Sequence, residues 1–471
     1  MGGFPPIQRD QGMRTEPGHG IDDDPGRPPF SRFVLLWSGQ TVSGMGSHLH
    51  GFGLGVWMYE HTQSTSLYAL IALASFAPGV LVAPLLGGVV DRQDLRRVMI
   101  LGHAGGAVCT LLIALLIALD RLSLGAILLL VAAGAAFNSI QLPAFPKATT
   151  LMVAPEQLPR ANGLMQLGVA LARIAAPLLS GVLLPVIGVM GLLAIDLVTA
   201  GFSLAVLQAV RMPAPARDVA PARVSLGVSL AGRALQDAAV GWRYIRERPG
   251  LLGLQVLLTW MSFNLGILQV LVTPLILSFA DVRTLGAVMT AGGVGMLAGS
   301  LLLLAWGGSR QRVWSVFGFV LLQGVFMGLG ATHASPWVVG AGAFGVLFTV
   351  PVIMSCNQTL WQRKVPTALQ GRVFAVHAAL SGGSIPIAYL LSGPLAELVF
   401  EPLMAPGGPL ASALGPWVGG AGPGRGIALL FLLLGAATVL LVAACMLIPG
   451  VRRVEQALPD APLEPAPRLT G

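Results

Sequence analysis

The chain has 471 residues, of which 55% are hydrophobic and only 10% charged, and its mean hydropathy is +0.78. Soluble domains carry about a quarter charged residues, so a water-soluble globular core is excluded. The net charge of +8 raises the question of nucleic acid, but the basic residues fall in short segments between apolar blocks, and that partner is excluded too.

Residues 1–32 are rich in Pro, Gly and Asp and contain no apolar stretch followed by a small-residue cleavage site. They read as a disordered cytoplasmic tail and not as a cleaved signal peptide. From 34 to 448 the chain is a string of uncharged apolar blocks cut by short charged or Pro/Gly-rich segments. A hydrocarbon core of about 30 Å needs roughly 20 helical residues. Blocks near that length fall at 34–58, 67–90, 98–119, 124–146, 162–186 and 188–210, and again at 251–278, 284–306, 313–332, 337–360, 373–396 and 427–448. The pattern predicts an all-α polytopic membrane protein of about twelve transmembrane helices in two six-helix bundles, 33–210 and 251–449. A long outer loop, 397–426, and a cytoplasmic C-tail, 450–471, complete the chain.

The linker between the bundles, 211–250, opens with Arg211-Met212-Pro213-Ala214-Pro215, which cannot continue a helix. Over 230–245 it turns amphipathic: Leu230, Ala234 and Ala238 recur at helical spacing, with Arg233, Asp237 and Arg243 elsewhere, which predicts a helix along the membrane surface. The two halves echo each other. Pro155 to Arg160 after the fourth block and Pro366 to Arg372 after the tenth both run Pro, Leu three residues on, then Arg, at the positions that a six-plus-six duplication requires.

Charge placement sets the topology. With the N-terminus in the cytoplasm, 24 of the 28 Lys and Arg residues fall on that side; Arg121, Arg283 and Arg425 lie outside and Arg173 within a span. The positive-inside rule therefore puts both termini in the cytoplasm. A chain with many Arg and only two Lys points to a high-GC bacterial genome, and hence to the bacterial inner membrane.

Ionisable groups inside spans are costly and mark candidate sites. Arg173 sits about twelve residues into the fifth block, where an unpaired guanidinium costs at least ~3 kcal/mol. Asp196, in the sixth, is the acid well inside a span and is the expected partner, either as a structural ion pair or as a protonatable coupling site. His48 and His50 lie midway along the first block; two residues apart on a helix, they point to nearly opposite faces, and His48 is the candidate titratable group. Gln40, His103, Asn138, Gln141, Asn264, Gln269, Asn357 and His377 are further intramembrane polar groups that could line a central cavity.

Cys109, Cys356 and Cys445 all lie within spans, which indicates neither a disulfide framework nor a thiolate metal site. No catalytic spacing, metal-ligand cluster or phosphate-cradling loop stands out. An enzyme, a metal site, a bound cofactor and an ATP-driven pump are therefore not expected, which leaves an ion gradient as the energy source.

The second block ends Gly87-Gly88-Val89-Val90-Asp91-Arg92-Gln93-Asp94-Leu95-Arg96-Arg97. This resembles the signature between helices 2 and 3 of the major facilitator superfamily, although Asp94 replaces a common second Gly and Leu95 a common basic residue. The resemblance implies a cytoplasmic gate. Gly87 allows close helix approach, while Asp91 caps the N-terminus of the eleventh helix near Gly371 and pairs with Arg96 or Arg97; Arg92 and Arg372 complete the gate. More of the chain, roughly 30–450, is similar to the drug:proton antiporter branch that includes the enterobactin exporter and macrolide efflux proteins. Phe33 to Ser43, Leu142-Pro143-Ala144, Pro155 to Asn162, Arg173 to Gly181 and Gly371-Arg372-Val373 carry that likeness.

The expected function is secondary active efflux of a bulky amphipathic small molecule, such as a drug, siderophore or other natural product, by proton antiport and alternating access. Its partners would be the small-molecule substrate, protons and membrane lipid, and it would act as a monomer. A lipid or lysophospholipid flippase, or a membrane scaffold or sensor that no longer transports, are the competing readings.

Overall fold

A computed structural model describes residues 29–90, 94–154, 157–210, 228–306 and 311–459. The first half runs through α1 (Phe30–Thr62), α2 (Thr65–Val90), α3 (Leu95–Ala118), α4 (Leu124–Met152) and α5 (Leu158–Ala209). At 52 residues α5 is too long for one crossing, and at Gly188 its backbone leaves the helix with φ 64° and ψ −179°, a conformation essentially reserved for glycine. The two arms of α5 run in opposite directions along α1. Trp37, Thr41 and Gly53 meet Leu164, Gly168 and Ser180 of the first arm in rising order, while Gly39, Gly46 and Gly53 meet Val206, Thr199 and Leu192 of the second in falling order. α5 is thus a hairpin of two passes, with α1 packed against both.

After the linker helix α6 (Val228–Arg246), the second half runs through α7 (Pro249–Leu277), α8 (Val282–Trp306), α9 (Arg312–Gly330), α10 (Pro336–Lys364), α11 (Thr367–Pro394), a π-helical turn (Leu395–Phe400), α12 (Glu401–Met404), α13 (Ala411–Val418) and α14 (Arg425–Leu447), ending in α15 (Pro449–Arg452) and α16 (Val454–Ala457). Counting α5 twice, twelve passes are present among the described residues. Among the described residues, nine helices are long and apolar enough to cross a membrane on composition alone. α1 has the length, but Gln40, Ser43, Ser47, His48 and His50 make it too polar to qualify, and the reason appears at the site below.

Three segments differ from, or add to, the sequence expectation. The segment 397–426 is not a loop. Its Glu401 carboxylate accepts from the Gly424 and Ile427 amides, 3.1 Å each, capping α14, and buried Arg425 donates to the Val418 carbonyl at 2.8 Å. α6 docks on protein as well as presenting a face outward: Ile245 is buried, the Tyr244 hydroxyl donates to the Lys364 carbonyl (3.0 Å) and Gly241 lies against the Arg372 carbonyl, while Trp242 stays exposed. The C-tail straps the second half, since the Glu455 carboxylate accepts from the Arg312 and Val313 amides at the start of α9. Residues 1–28, 211–227 and 460–471, including most of the expected N-tail, lie outside the described residues.

The apolar core is asymmetric along the bundle. At the end that carries the α1–α2 and α9–α10 turns, one continuous core takes in both halves, from Leu54, Ile71 and Leu192 to Ile276, Leu285 and Phe431. At the end that carries residue 30 and α15, each half has its own core, around Phe33, Met99 and Leu207 in the first and around Met261, Phe317 and Trp361 in the second. α5 meets α8 backbone to backbone at Gly181 and Gly286, and the Tyr68 hydroxyl of α2 lies 3.0 Å from the Thr273 hydroxyl of α7. Apolar cores resist partial separation because interiors are close-packed. The described residues therefore form two halves joined at one end and divided at the other.

Candidate functional site

Between helices in lipid there is no hydrophobic drive to associate, and small residues are needed to bring backbones together. Gly39, Gly46 and Gly53 provide this at seven-residue spacing on α1, opposite Val206, Thr199 and Leu192 at the same spacing on α5. A Cβ on Gly46 would overlap the Thr199 hydroxyl and lie 3.3 Å from the Asp196 Cα. Beside this glycine line, Gln40, Ser43, Ser47 and His50 follow one another three or four residues apart and so share a face. They meet His103 and Thr110 of α3, and Asp196 and Ser203 of α5, each pair again seven residues apart.

Two polar layers result. In one, buried Asp196 is held by three helices. Its Oδ1 accepts from the Ser47 hydroxyl (3.0 Å) and its Oδ2 from the Thr110 hydroxyl (2.8 Å), and His50 Nδ1 lies 3.0 Å from Oδ2. In the other, His103 Nδ1 lies 3.2 Å from the Ser43 hydroxyl, and its Nε2 lies 3.1 Å from Gln40 Oε1 and 3.0 Å from the Ser203 hydroxyl. Gln40 Oε1 can only accept, so Nε2 carries the proton and Ser43 donates to Nδ1 in the neutral ring. Seven residues of helix separate the layers by about 10 Å, and Ser43 and Ser47, one turn apart on α1, stand between them. Asp196 lies eight residues past Gly188, about 12 Å from that turn and so near mid-membrane.

A carboxylate at this depth is costly unless matched, and the Ser47 and Thr110 hydroxyls of α1 and α3 match it, with His50 Nδ1 close by but outside hydrogen-bonding geometry. The same hydroxyls can rotate to accept from a protonated acid, so both hold a bond to the site in either charge state. The second half repeats the scaffold without the charge. Its α7–α14 contact is Asn264 and Trp260 donating to the Thr438 hydroxyl (2.8 and 2.9 Å), and His377 accepts at Nε2 from Asn357 (3.4 Å) and donates at Nδ1 to Gln255 Oε1 (2.6 Å).

The other sequence candidates fall as follows. His48 is exposed, and it is His50 that meets Asp196. The Arg173 side chain lies outside the described residues. Asp196 has its partners in Ser47, His50 and Thr110. Gln141 donates to exposed Asn138 at 3.5 Å between α3 and α4, and exposed Gln269 accepts from the buried Tyr389 hydroxyl of α11. Asp91 and Arg92 lie outside the described residues, as do the surroundings of Gly87 and Gly371. Arg96, an expected partner of Asp91, makes bonds within its own half. Its guanidinium donates to the Leu207 carbonyl (2.7 Å) and the Gln208 carbonyl at the end of α5, a favourable place for a cation. Asp94, which departs from the family pattern, caps α3 by accepting from the Arg96 amide at 2.9 Å, and lies 3.8 Å from exposed Arg97. Arg372 is exposed near the start of α11. Among the described residues no group of three or more His, Cys, Asp or Glu side chains could hold a metal ion.

The chain is 24% identical over 384 residues to Macrolide efflux protein A of Streptococcus pyogenes, a match that covers 78% of this chain and 90% of that protein. It is equally 24% identical to Macrolide efflux protein A of Enterococcus faecalis, over 67% and 97% of the two chains. Among solved structures, a bacterial homolog of the human lysosomal transporter Spinster in an inward-facing, occupied conformation superimposes with a TM-score of 0.60 at 14% identity, covering 89% of this chain and 98% of that one. Residues 36–389 match the Major Facilitator Superfamily, and with twelve passes in two joined halves the chain belongs to that family of transporters.

Proposed function

We propose that the protein exports a bulky amphipathic small molecule in exchange for protons, by alternating access. The observation that carries this reading is a matched acid, Asp196, inside a bundle whose halves, among the described residues, share a core at one end only. With the divided end taken as cytoplasmic by the positive-inside rule, the separate cores of the described residues support reading this arrangement as inward-facing. The described spans of the second half up to residue 394 contain no Asp or Glu, which leaves Asp196 as the group to carry a proton. A proton taken by Asp196 from the outer side neutralises the site. Release to the cytoplasm restores the charge, with Ser47, Ser43 and His103 forming a hydroxyl and imidazole path toward the inner end. Substrate binding at the divided end and proton binding at Asp196 would favour opposite access states, which gives exchange.

The outward direction and the amphipathic substrate follow from likeness to the macrolide efflux proteins. The inner latch of Gly87, Asp91, Arg92 and Gly371 stays part of this proposal, as do the bacterial inner membrane, the cytoplasmic termini and a monomer whose two halves complete the path within one chain. Cells that express the protein should accumulate less of a macrolide or an amphipathic dye than control cells, and a protonophore should erase the difference. Accumulation that rises with expression would overturn the direction; efflux indifferent to the protonophore would overturn the coupling.

A further inference from the structure

The outer junction of the halves contains a helix cap completed in trans. α2 begins after Ser64, whose hydroxyl oxygen accepts from the Leu67 amide at 3.2 Å, as an N-cap residue does. The second orphan amide of that helix, Ser66 N–H, points into the other half, where Glu397 Oε1 accepts it at 3.0 Å. The same oxygen accepts from the Ser64 hydroxyl (2.9 Å), and Glu397 Oε2 accepts from the Ser66 hydroxyl (2.5 Å). In an ordinary capping box the carboxylate belongs to the same helix, three residues on. Here it comes from a residue 331 positions away in sequence, at the far end of α11.

The local fold aims Glu397 at this target. Pro394 ends the regular α-helix, and the next turn widens to π geometry, with the Glu401 amide reaching five residues back to the Ala396 carbonyl. One turn earlier, Gly393 lies directly against the backbone of Ser66, so α11 and α2 touch without an intervening side chain. A carboxylate at a helix N-terminus is stabilised by the unpaired amides and by the helix dipole, and bonds to an ionised group are about twice as strong as neutral ones. The Glu397 and Gly393 contacts cross from one half to the other, and they sit at the end where the halves share a core.

We infer that Glu397 is the gating residue of the outer side, whose carboxylate holds α2 and α11 together while the protein faces inward and must let go of Ser64 and Ser66 each time the outer side opens. The inference rests on the alternating-access reading but not on the coupling ion or the substrate. Two predictions separate a gate from a merely structural acid. Glu397→Gln, which keeps the shape but loses the charge, should raise the ratio of outward-open to inward-facing protein about tenfold, equivalent to ~1.4 kcal/mol. Gly393→Ala, which wedges a methyl against the Ser66 backbone and leaves Glu397 untouched, should shift the ratio in the same direction.

The test uses the full chain in proteoliposomes, with buried Cys109, Cys356 and Cys445 replaced and spin labels at Arg121→Cys and His333→Cys, exposed outer positions on opposite halves. Electron-spin distance measurements need neither substrate nor a pH gradient, so a failure of the proton-antiport reading would not affect them. The expected result is a single short distance in the parent protein and a longer second population in both variants. Should Glu397→Gln fold poorly, the Ser64→Ala/Ser66→Ala pair removes two of the three donors and should give the same shift, smaller because the Ser66 amide remains. Parent-like distances in folded Gly393→Ala together with either Glu397→Gln or the serine pair would overturn the inference.

Discussion

Replacing Asp196 by Asn tests the acidic site with least disturbance of its shape. The carboxylate accepts from Ser47 and Thr110 at 3.0 and 2.8 Å, with His50 Nδ1 3.0 Å away, and bonds to a charged group are each worth about 1.5–3 kcal/mol. Most of that gain offsets the burial of a charge near mid-membrane, at about 2.5–3.5 kcal/mol on insertion scales. The amide removes the burial cost and keeps one acceptor, while the hydroxyls of Ser47 and Thr110 can turn to accept from its NH₂. The net loss of folding stability should therefore be small, about 1 kcal/mol, with near-normal amounts of protein in the membrane. Truncation to Ala leaves His50 and two hydroxyls around a hole and should cost about 3–5 kcal/mol. Coupling should respond in the opposite order of subtlety. One pH unit is worth 1.36 kcal/mol per proton, so the parent protein exchanging one proton per substrate can hold about a tenfold concentration ratio across a one-unit gradient. Asp196→Asn has no group to titrate and should hold a ratio of one, while still letting substrate equilibrate downhill. The assay is steady-state probe distribution in proteoliposomes with an imposed pH step, beside downhill flux in the same vesicles. A parent-like ratio in the Asn variant would refute the assignment of Asp196.

Other consequences are simpler to read. Gly46→Ala places a methyl where the Thr199 hydroxyl stands; overpacking of about 1–3 kcal/mol should lower the folded yield by fluorescence size exclusion, and adding Thr199→Ala should restore part of it. Gln255→Leu strands the His377 Nδ1–H and the Ser381 hydroxyl and should cost about 1–3 kcal/mol in thermal melting while leaving the coupling ratio intact. Asp281 caps α8 through the Thr284 hydroxyl and amide, which hold its carboxyl below the usual carboxylate range, so its stabilisation is present above the unfolded value and is lost as pH falls through the folded one. Asp281→Ala should cost about 1 kcal/mol at neutral pH, and its melting curve should converge on that of the parent only once pH falls below the lowered folded value, under the usual aspartate range.

The all-α membrane fold and the family were legible in the sequence because apolar length and short motifs are one-dimensional signals. Asp196 was legible for the same reason, since a lone acid in an apolar block is conspicuous. Its partners were not. Ser47 and Thr110 are ordinary residues in membrane helices, and their proximity to Asp196 depends on how α1, α3 and α5 pack; the expected pairing with Arg173 falls on a side chain outside the described residues. A usable signal was present all the same. The seven-residue spacing of Gly39, Gly46 and Gly53 marks the face of α1 that approaches another helix, and Ser43, Ser47 and His50 lie beside that face while His48 does not. Glu397 was hidden differently. Its environment depends on a π turn after Pro394 that extends α11 past the expected end of the span, and on the proximity of α2, 331 residues away in sequence.

Proton movement during transport tests the central proposal most directly. Proteoliposomes loaded with a pH-sensitive dye and given an inward macrolide gradient, with no imposed pH difference, should show protons leaving the lumen as the macrolide enters, in parent protein and not in Asp196→Asn. A macrolide flux that leaves lumenal pH unchanged, or that proceeds only with sodium, would contradict exchange for protons.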